Sequence, residues 1–482
     1  MPDLRPVLYT LGILTVILGF AMLVPAGVDA LAGHPDWEVF MGSAVITAFL
    51  GGLFAFSFQG TARTVDRRQG FLIVTGAWAI LPLFAALPLL RSELGVDLTD
   101  AYFETMSGLT TTGATVLSGL DSAPPGILLW RGMLQWLGGL GIIVLAVALL
   151  PLLQIGGMQL FRAESFDPSG TDIPRAAPLA LNLLAIYVGL TLACFLALMV
   201  AGMAWLDAVV HAMTTIATGG YSTKDASVGF WNSAAIDWII IFFMVISSLP
   251  FVLFVYVLER RPGRLARDDQ VRGFLWILGA IVSVMVLWLV FSLQFPWQTA
   301  LRQAAFNVTS VLTGTGYATA DFSAWGAFPL VAFLFIMLIG GCAGSTSCGV
   351  KIFRWQVMAR NIVAWARQSV HPHGVFVARF NGRPLPETVT SSVMAFFYLF
   401  IASLSLLSLA LAATGMDYLA AVSSAVSALA NVGPGLGPAV GPAANFAGIP
   451  EAAKWLMSLG MLLGRLELFA VLVLLTPAFW RG

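Results

Sequence analysis

Four short stretches that end in glycine have the residue types of a backbone site for a cation. In each, an aliphatic residue stands four places before the glycine and a hydroxyl residue six places before it. Glycine permits backbone angles that are closed to other residues, so successive carbonyl groups can turn towards one axis and replace the water shell of a cation. The stretches recur after roughly a hundred residues, longer than solenoid repeats, at 109–113, 216–220, 312–316 and 429–433.

We interpret the stretches as four lining segments of one ion pathway. The hydroxyls six places before the glycines are Ser107, Thr214, Ser310 and Ser427. The predicted filter consists of Thr111, Thr112, Gly113, Thr218, Gly219, Gly220, Gly314, Thr315, Gly316, Asn431, Val432 and Gly433. Main-chain oxygens at eight of these positions are the candidate ion ligands, namely Thr111, Thr112, Thr218, Gly219, Gly314, Thr315, Asn431 and Val432.

The composition indicates an integral membrane protein and excludes several other classes. Of 482 residues, 59% are hydrophobic and 10% are charged, far below the charged share of soluble domains. The 24 basic and 24 acidic residues give no net charge, and nothing suggests binding to nucleic acid. Three cysteines without close histidine partners and four scattered histidines argue against a disulfide framework, a zinc site or an enzyme active site.

Two apolar runs, near 7–25 and 39–58, precede the repeats. The sequence Ala30-Leu-Ala32 resembles a signal-peptidase site. The first run is longer than the core of a typical signal peptide, and the second run follows closely. We therefore predict two retained leading transmembrane helices, followed by a third span near 70–91.

Each repeat is predicted to contain an outer helix, a half-helix, a glycine stretch and an inner helix. The half-helices are too short to cross the hydrocarbon core, so they must enter and return on one side. The further outer helices are predicted near 178–203, 271–294 and 390–414, and the inner helices near 126–153, 235–258, 326–343 and 452–477. This gives ten spans and an all-α polytopic fold with four pseudo-symmetric repeats around one pore. The predicted units are 1–68, 69–177, 178–269, 270–389 and 390–482.

Arginines follow the inner helices, including Arg162 and Arg175 and the sets within 260–272 and 354–383. By the positive-inside rule these ends, and both termini, are expected on the cytoplasmic side. The glycine stretches then lie towards the outside, where acidic residues such as Asp100 and Asp207 are expected to be helix N-caps or solvated loop residues. The segment 359–389 is predicted to form a cytoplasmic hairpin at Asn381-Gly382.

A glycine-rich run at 340–349 interrupts the third inner helix. It is either a passive kink or a loop that obstructs the pore and moves aside. We favour the loop because the other three inner helices are predicted to be continuous at this position. The predicted gating residues are Gly340, Gly341, Gly344, Ser345, Thr346, Gly349, Lys351 and Arg465.

Several ionisable residues lie within predicted membrane helices, where they are costly. Arg465 is expected either to face the pathway below the filter, as a charge barrier to cations, or to form a structural pair. Glu104 is expected to orient the filter by hydrogen bonds. For Arg131, an anchor at the membrane interface and a bracing role remain equally open.

Five motifs together carry a resemblance to a known family. They are Phe103-Glu-Thr-Met-Ser-Gly-Leu-Thr-Thr-Thr-Gly-Ala114, Trp130-Arg-Gly-Met-Leu-Gln-Trp-Leu-Gly-Gly139, Gly344-Ser-Thr346 with Lys351, Asn431-Val-Gly-Pro-Gly435 and Gly464-Arg-Leu-Glu467. They resemble the Trk/Ktr/HKT superfamily of potassium transporters, and the two leading helices favour its Trk branch. The resemblance implies that potassium is the substrate and that Gly113 permits potassium. It also implies a homodimer with one pore per protomer in membrane lipid, no cofactor on this chain, and a cytosolic TrkA-like regulatory ring that binds the nucleotide. Cys348 departs from the glycine-rich loop of the family.

The resulting functional prediction is potassium uptake across the bacterial inner membrane through a channel-like pore. The alternative is a proton- or sodium-coupled symporter with alternating access, since broken helices and repeats also mark such folds. All four repeats share one orientation, which favours the channel-like path. Only one glycine is common to all four copies, so we expect modest discrimination among potassium, rubidium and sodium.

Overall fold

The computed structural model describes residues 2–60, 66–148 and 176–481. In these ranges, seven helices are long and apolar enough to cross a membrane, and up to nine if each of two bent pairs counts as one span. Of the ten predicted spans, the one not among these nine is the third inner helix, which ends after 13 residues. The prediction of an all-α polytopic membrane fold is confirmed.

The leading helices pack through small residues. A Cβ atom on Gly12 would lie 2.8 Å from the carbonyl oxygen of Gly51, and a Cβ atom on Gly51 equally close to that of Gly12. Glycine therefore allows the two backbones to approach. Asp29 ties the pair to the rest of the fold, because its Oδ1 accepts a hydrogen bond of 2.6 Å from the amide of Gly126. The leading helices are Arg5–Ala21, Leu23–Ala32 and Asp36–Ser57.

The four repeats have the predicted order of elements. The half-helices contain 12 to 16 residues, which makes them about 18 to 24 Å long and too short for a hydrocarbon core of roughly 30 Å. The outer helices are Arg67–Ala85 with Leu87–Arg91, Ala176–Val200, Asp269–Leu293 and Glu387–Ala413. The half-helices are Leu98–Leu109, Trp205–Ile216, Trp297–Leu312 and Tyr418–Ala430, and the inner helices begin as Pro125–Ala148, Ala234–Ser247, Ala327–Ile339 and Glu451–Arg465.

The first inner helix is more buried than the third and fourth outer helices. In the first inner helix 78% of the apolar window is buried, whereas in the third and fourth outer helices the share is 22%. The half-helices are enclosed by protein, since every residue from 101 to 109 is buried. Irregular backbone at membrane depth is tolerated in such a protein-lined interior.

The second and fourth inner helices are not continuous. Ala234–Ser247 meets Phe251–Leu258 at an angle of 95° near Pro250, and Glu451–Arg465 meets Phe469–Leu475 at 105°. The prediction of uninterrupted helices near 235–258 and 452–477 was therefore wrong. The loop in the third repeat is one of three breaks. The expected end of the first inner helix at 149–153, and Arg162 and Arg175, lie outside the described residues.

The predicted hairpin is present but short, and its cytoplasmic location stays a prediction. Arg379–Phe380 pairs antiparallel with Arg383–Pro384, and Asn381 and Gly382 both have positive φ, as a type I′ turn requires. The helix Ile352–Val370, here called the connecting helix, leads into it. Further short helices are Gly263–Arg267 and Pro477–Arg481, with 3₁₀ turns at Leu120–Ser122, Ser227–Trp231, Phe322–Trp325 and Val473–Leu475.

Candidate functional site

All four half-helices end in the same backbone geometry. The residue two places before each filter glycine has a positive φ, and the next amide donates to the carbonyl of the residue five places earlier. This is the Schellman arrangement. The positive φ angles are 52° at Thr111, 50° at Thr218, 73° at Gly314 and 51° at Asn431. The amide-to-carbonyl distances are 2.8 Å for Thr112 to Ser107, 2.8 Å for Gly219 to Thr214, 2.8 Å for Thr315 to Ser310 and 3.0 Å for Val432 to Ser427.

The four filter glycines close a ring. Each has a positive φ, of 86°, 80°, 87° and 110° in chain order. A Cβ atom on any of them would collide with the carbonyl oxygen that precedes the glycine of the next copy. The succession returns to its start and so brings the four stretches together around one centre. The pairs are Gly113 with Gly219, Gly220 with Thr315, Gly316 with Val432 and Gly433 with Thr112.

The hydroxyls that the repeat pattern singled out hold the returning chain. Thr214 Oγ1 donates to the carbonyl of Tyr221 at 3.0 Å, and Ser310 Oγ donates to that of Tyr317 at 2.7 Å. In the fourth copy Ser427 Oγ donates to the carbonyl of Gly433 at 2.8 Å. A hydroxyl at this position therefore fixes the chain just after the filter glycine in two copies and at the filter glycine in a third.

Two side-chain oxygens at the inner end of the ring lack hydrogen-bond donors. Thr111 Oγ1 and Asn431 Oδ1 are buried without a partner among the described residues. The amide nitrogen of Asn431 is used, since it donates to Thr112 Oγ1 at 2.9 Å and to the carbonyl of Met461 at 3.0 Å. A buried oxygen without a donor is costly, and a cation or a water molecule would satisfy it.

A buried ion pair braces the first two copies. Arg131 Nε donates to Glu104 Oε1 at 2.8 Å, and both side chains are almost fully buried. Glu104 Oε2 also accepts from the amide of Val116 at 2.9 Å, and Arg131 reaches the carbonyl of Ser222 at 2.9 Å. These contacts agree with the bracing interpretation of both residues. The burial of Arg131 excludes an anchor at the membrane interface.

Residues that the sequence interpretation did not assign also support the ring. Gln135 Nε2 donates to the carbonyl of Gly219 at 2.6 Å, and its Oε1 accepts from the amide of Tyr221 at 3.0 Å. The hydroxyl of Tyr221 reaches the carbonyl of Glu104 at 2.7 Å, and that of Tyr317 bonds Thr214. Each tyrosine thus connects its own copy to the preceding one. An aromatic residue directly after the glycine in two copies was the available signal.

The glycine-rich run forms a loop that contacts the ends of the second and third half-helices and the second inner helix. Thr346 Oγ1 donates to the carbonyl of Ile216 at 3.0 Å, and Ser347 Oγ donates to that of Thr313 at 2.5 Å. The amide of Cys342 donates to the carbonyl of Ser248 at 2.9 Å, at the break in the second inner helix. The turns of the loop have positive φ at Gly340, Gly344, Gly349 and Lys351. Gly341 and Ser345 hold the loop internally, the first to Ser347 Oγ and the second to the carbonyl of Cys342.

Arg465 links this loop to two inner helices. It is the last residue of the helix Glu451–Arg465, so it lies at the break in the fourth inner helix. One terminal nitrogen donates to the carbonyl of Gly138 at 2.9 Å, and the other lies 2.7 Å from Cys348 Sγ. Its Nε has no partner among the described residues. The guanidinium therefore lies directly against the loop.

Glu467 holds the far end of the loop. Its two carboxylate oxygens accept from Lys351 Nζ at 2.7 Å and from a terminal nitrogen of Arg354 at 2.6 Å, and all three side chains are buried. Glu467 and Leu468 have positive φ, of 57° and 61°. The structural pair considered for Arg465 is therefore found at Glu467. The space beside the loop and this pair has a volume of about 10 Å³, no more than one water molecule needs.

Two acidic residues have roles other than those predicted. Asp97, not Asp100, caps the first half-helix by accepting from the amide of Asp100. Asp100 forms an ion pair with Lys454 at 2.5 Å. Asp207 accepts from Thr223 Oγ1 at 2.5 Å, and its half-helix lacks a side-chain cap. The expectation that both residues are helix N-caps or solvated loop residues was wrong, because each lies inside the first turn of its half-helix and contacts another side chain.

Comparison with known proteins shows the family of the chain. A family model described as TrkH, cation transport protein, matches residues 37–481. The chain belongs to the TrkH family. A TrkH-family relative from Halomonas elongata, the Trk system potassium uptake protein TrkI, is 44% identical over 477 residues, which cover 99% of this chain and 97% of that protein. The Trk system potassium uptake protein TrkH of Escherichia coli K12 is 40% identical over 483 residues, with 99% of both chains covered.

A solved TrkH structure has the same fold. The crystal structure of the potassium transporter TrkH from Vibrio parahaemolyticus matches with a TM-score of 0.92 and 37% identity, and the match covers 100% of both chains. Together with the apolar helices, TrkH family membership makes the chain a multi-pass inner-membrane protein. The described residues contain no group of three or more His, Cys, Asp or Glu side chains placed to hold a metal.

Proposed function

We propose that this chain is the membrane component of a potassium uptake system and that potassium crosses through the ring of main-chain oxygens at the four glycine stretches. The supporting observation is the closed succession in which each filter glycine meets the carbonyl that precedes the next one. Relatives of the same length are potassium uptake proteins by name. Carbonyl groups held at fixed positions replace the hydration shell of a dehydrated ion, and no catalytic step is involved.

The loop at 340–351 and Arg465 form the proposed gate. The loop contacts the ends of the second and third half-helices, and Arg465 adds a buried positive charge beside it. A like charge in a poorly solvated passage opposes a cation much more strongly than it would in water. Opening would require the loop to exchange its hydrogen bonds at Thr346 and Ser347 for other partners.

Regulation and assembly are proposed from the family resemblance. The proposed assembly is a homodimer in the lipid bilayer with one pore in each protomer. A cytosolic TrkA-like ring would bind the nucleotide and act on the arginine-rich face, and both termini would lie on that face. The names of the relatives support a partner, since they belong to a Trk system.

The direct test is rubidium uptake into liposomes that contain the purified protein. We expect uptake by the wild type, and faster uptake after Arg465→Ala because the charge barrier and the link to Cys348 are both lost. Arg264→Ala is the matched control, since Arg264 stacks on Tyr256 outside the proposed pathway. Unchanged or slower uptake by well-folded Arg465→Ala protein would remove the residue from the barrier role.

The same liposomes distinguish the channel-like path from a coupled symporter. An imposed proton or sodium gradient should leave rubidium uptake unchanged once the membrane potential is clamped. If rubidium accumulated against its own gradient under these conditions, the proposed channel-like path would be wrong and a coupled symporter with alternating access would be supported.

A further inference from the structure

A basic cleft lies between the connecting helix and the chain that enters the hairpin. We call it the basic groove. It has a volume of about 540 Å³, and its lining includes Arg360, Val363, Arg367, Phe376 and Arg379. This volume is within the range of small-molecule sites. Its lining residues lie between 359 and 379, outside the glycine stretches and the loop at 340–351, so the groove is distinct from the proposed ion pathway.

The groove carries positive charge that its surroundings only partly neutralise. From 352 to 386 the sequence has five arginines and no acidic residue. Arg360 is paired, at 2.9 Å, with Asp269. The guanidinium groups of Arg367 and Arg379 have no hydrogen-bond or ion-pair partner in the part of the chain that the structure describes, and both side chains are exposed. The groove therefore offers two unpaired guanidinium groups, which favour planar recognition of a phosphate or carboxylate.

The depth of the groove in the bilayer follows from the helix that packs against it. The Trp355 ring lies 5.0 Å from that of Phe397, centroid to centroid, and Phe397 lies about 15 Å along the outer helix that begins at Glu387. Arg360, which lines the groove, pairs at 2.9 Å with Asp269, the first residue of the outer helix Asp269–Leu293. The groove is therefore level with the end of a membrane helix.

Apolar residues beside the groove indicate lipid at this level. Ile362 and Trp365 of the connecting helix are 58% and 61% exposed. Tryptophan is enriched at the headgroup level of the bilayer. A helix with exposed Ile and Trp on one side and arginines on another is suited to the boundary between acyl chains and headgroups.

We propose that the basic groove binds the phosphate headgroup of an anionic phospholipid in the leaflet on the arginine-rich side. Arg367 and Arg379 contact the phosphate oxygens, and Phe376 and Val363 lie along the glycerol and the first part of the acyl chains. Basic pockets between membrane helices bind such headgroups. This inference does not depend on the proposed ion pathway.

The test uses the purified full-length protein in detergent and counts bound lipid by native mass spectrometry. Phosphatidylglycerol is the probe and phosphatidylcholine the neutral comparison. Arg367→Gln with Arg379→Gln should weaken phosphatidylglycerol binding roughly thirtyfold, because each basic residue near an anionic lipid contributes about a factor of five. The matched control is Arg267→Gln, since Arg267 is exposed on the same face but lies outside the groove. Arg367→Lys with Arg379→Lys should retain part of the affinity, because the charge remains.

Three outcomes would overturn the proposal. Phosphatidylglycerol binding by the double glutamine variant equal to that of the wild type would exclude the groove. Displacement of the bound phosphatidylglycerol by millimolar inorganic phosphate would indicate that the groove is a site for free anions and not for lipid. A change in oligomeric mass without a change in lipid count would indicate that a second copy of the chain occupies the groove.

Discussion

At the scale of single residues, the ring depends on backbone that only glycine can supply. The four filter glycines have positive φ and no room for a Cβ atom, since the carbonyl of the next copy occupies that space. An L-residue in the left-handed region costs about 1 to 2 kcal/mol from its own sterics alone. The collision with the neighbouring carbonyl adds to this cost and displaces a proposed ion ligand.

Gly220→Ala should therefore lower rubidium uptake by roughly tenfold or more, since the added Cβ displaces the carbonyl of Thr315. Uptake into liposomes gives the measurement. Gly119→Ala is the control, because Gly119 also has a positive φ, of 74°, but nothing lies within 4 Å of its Cβ position. Equal uptake by the two variants would show that the close approach at Gly220 is not needed for transport.

Glu104→Gln should destabilise the protein by about 3 kcal/mol, because the substitution leaves Arg131 buried without its charge partner. The midpoint of thermal unfolding, in detergent, measures the loss. Asp121→Asn tests the same change of charge in an exposed pair, since Asp121 lies 3.8 Å from Lys224 and is half exposed. A midpoint that falls equally in both variants would contradict the bracing role of Glu104.

The sequence predicted this site where one copy carries the signal by itself. The glycine, the aliphatic residue and the hydroxyl recur within each stretch, so their positions could be read from spacing. Gln135, Tyr221 and Tyr317 bond to residues in a neighbouring copy, and a pattern within one stretch contains no information about that neighbour. Pairings between copies therefore required the structure.

At the scale of elements, three of the four inner helices break within the part of the chain that the structure describes. Pro250 gave a signal for the break in the second inner helix, because proline lacks an amide donor and disrupts a helix interior. No such signal exists in the fourth inner helix, where Leu466, Glu467 and Leu468 are compatible with a helix. The positive φ angles at Glu467 and Leu468 accompany contacts of Glu467 with Lys351 and Arg354. That break was therefore missed, whereas the half-helices and the hairpin turn were predicted from local sequence.

Glu467→Gln should loosen the loop, because Lys351 and Arg354 lose the carboxylate that holds them. In a background with Cys194→Ser and Cys342→Ser, we expect maleimide to label Cys348 several times faster in the Glu467→Gln variant than in protein that keeps Glu467. All three cysteines are buried. Glu451→Gln, at an exposed helix start, should leave the labelling rate unchanged. If Cys348 were labelled at the same rate with Glu467→Gln as with Glu467, the ion pairs would not restrain the loop.

At the scale of the whole molecule, lipid-facing outer helices surround a protein-lined centre. This arrangement followed from composition, since long apolar runs alternate with short stretches too rich in glycine and threonine to face lipid. The angles at which the segments meet did not follow, because they depend on packing across repeats that are distant in sequence. The ion pair of Asp100 with Lys454 joins the first repeat to the fourth, and no local pattern predicts it.

Selectivity is expected to be modest. Glycine is the one residue that all four stretches share, so successive rings of carbonyls differ in their backbone and their side chains. Flux assays should give comparable rates for potassium and rubidium and a lower, measurable rate for sodium. Strict exclusion of sodium would contradict this expectation and would mean that four unlike segments hold their oxygens as rigidly as four identical ones.

One polypeptide supplies all four quarters of the ring. A single codon change therefore alters one corner and leaves the other three as they were, whereas in a filter made from four identical chains it would be imposed four times. Equivalent positions can diverge independently, as they have at Thr112, Gly219, Thr315 and Val432. Asymmetry around the axis can therefore be inherited in this architecture, and mutation can change the ring at one of its four stretches at a time.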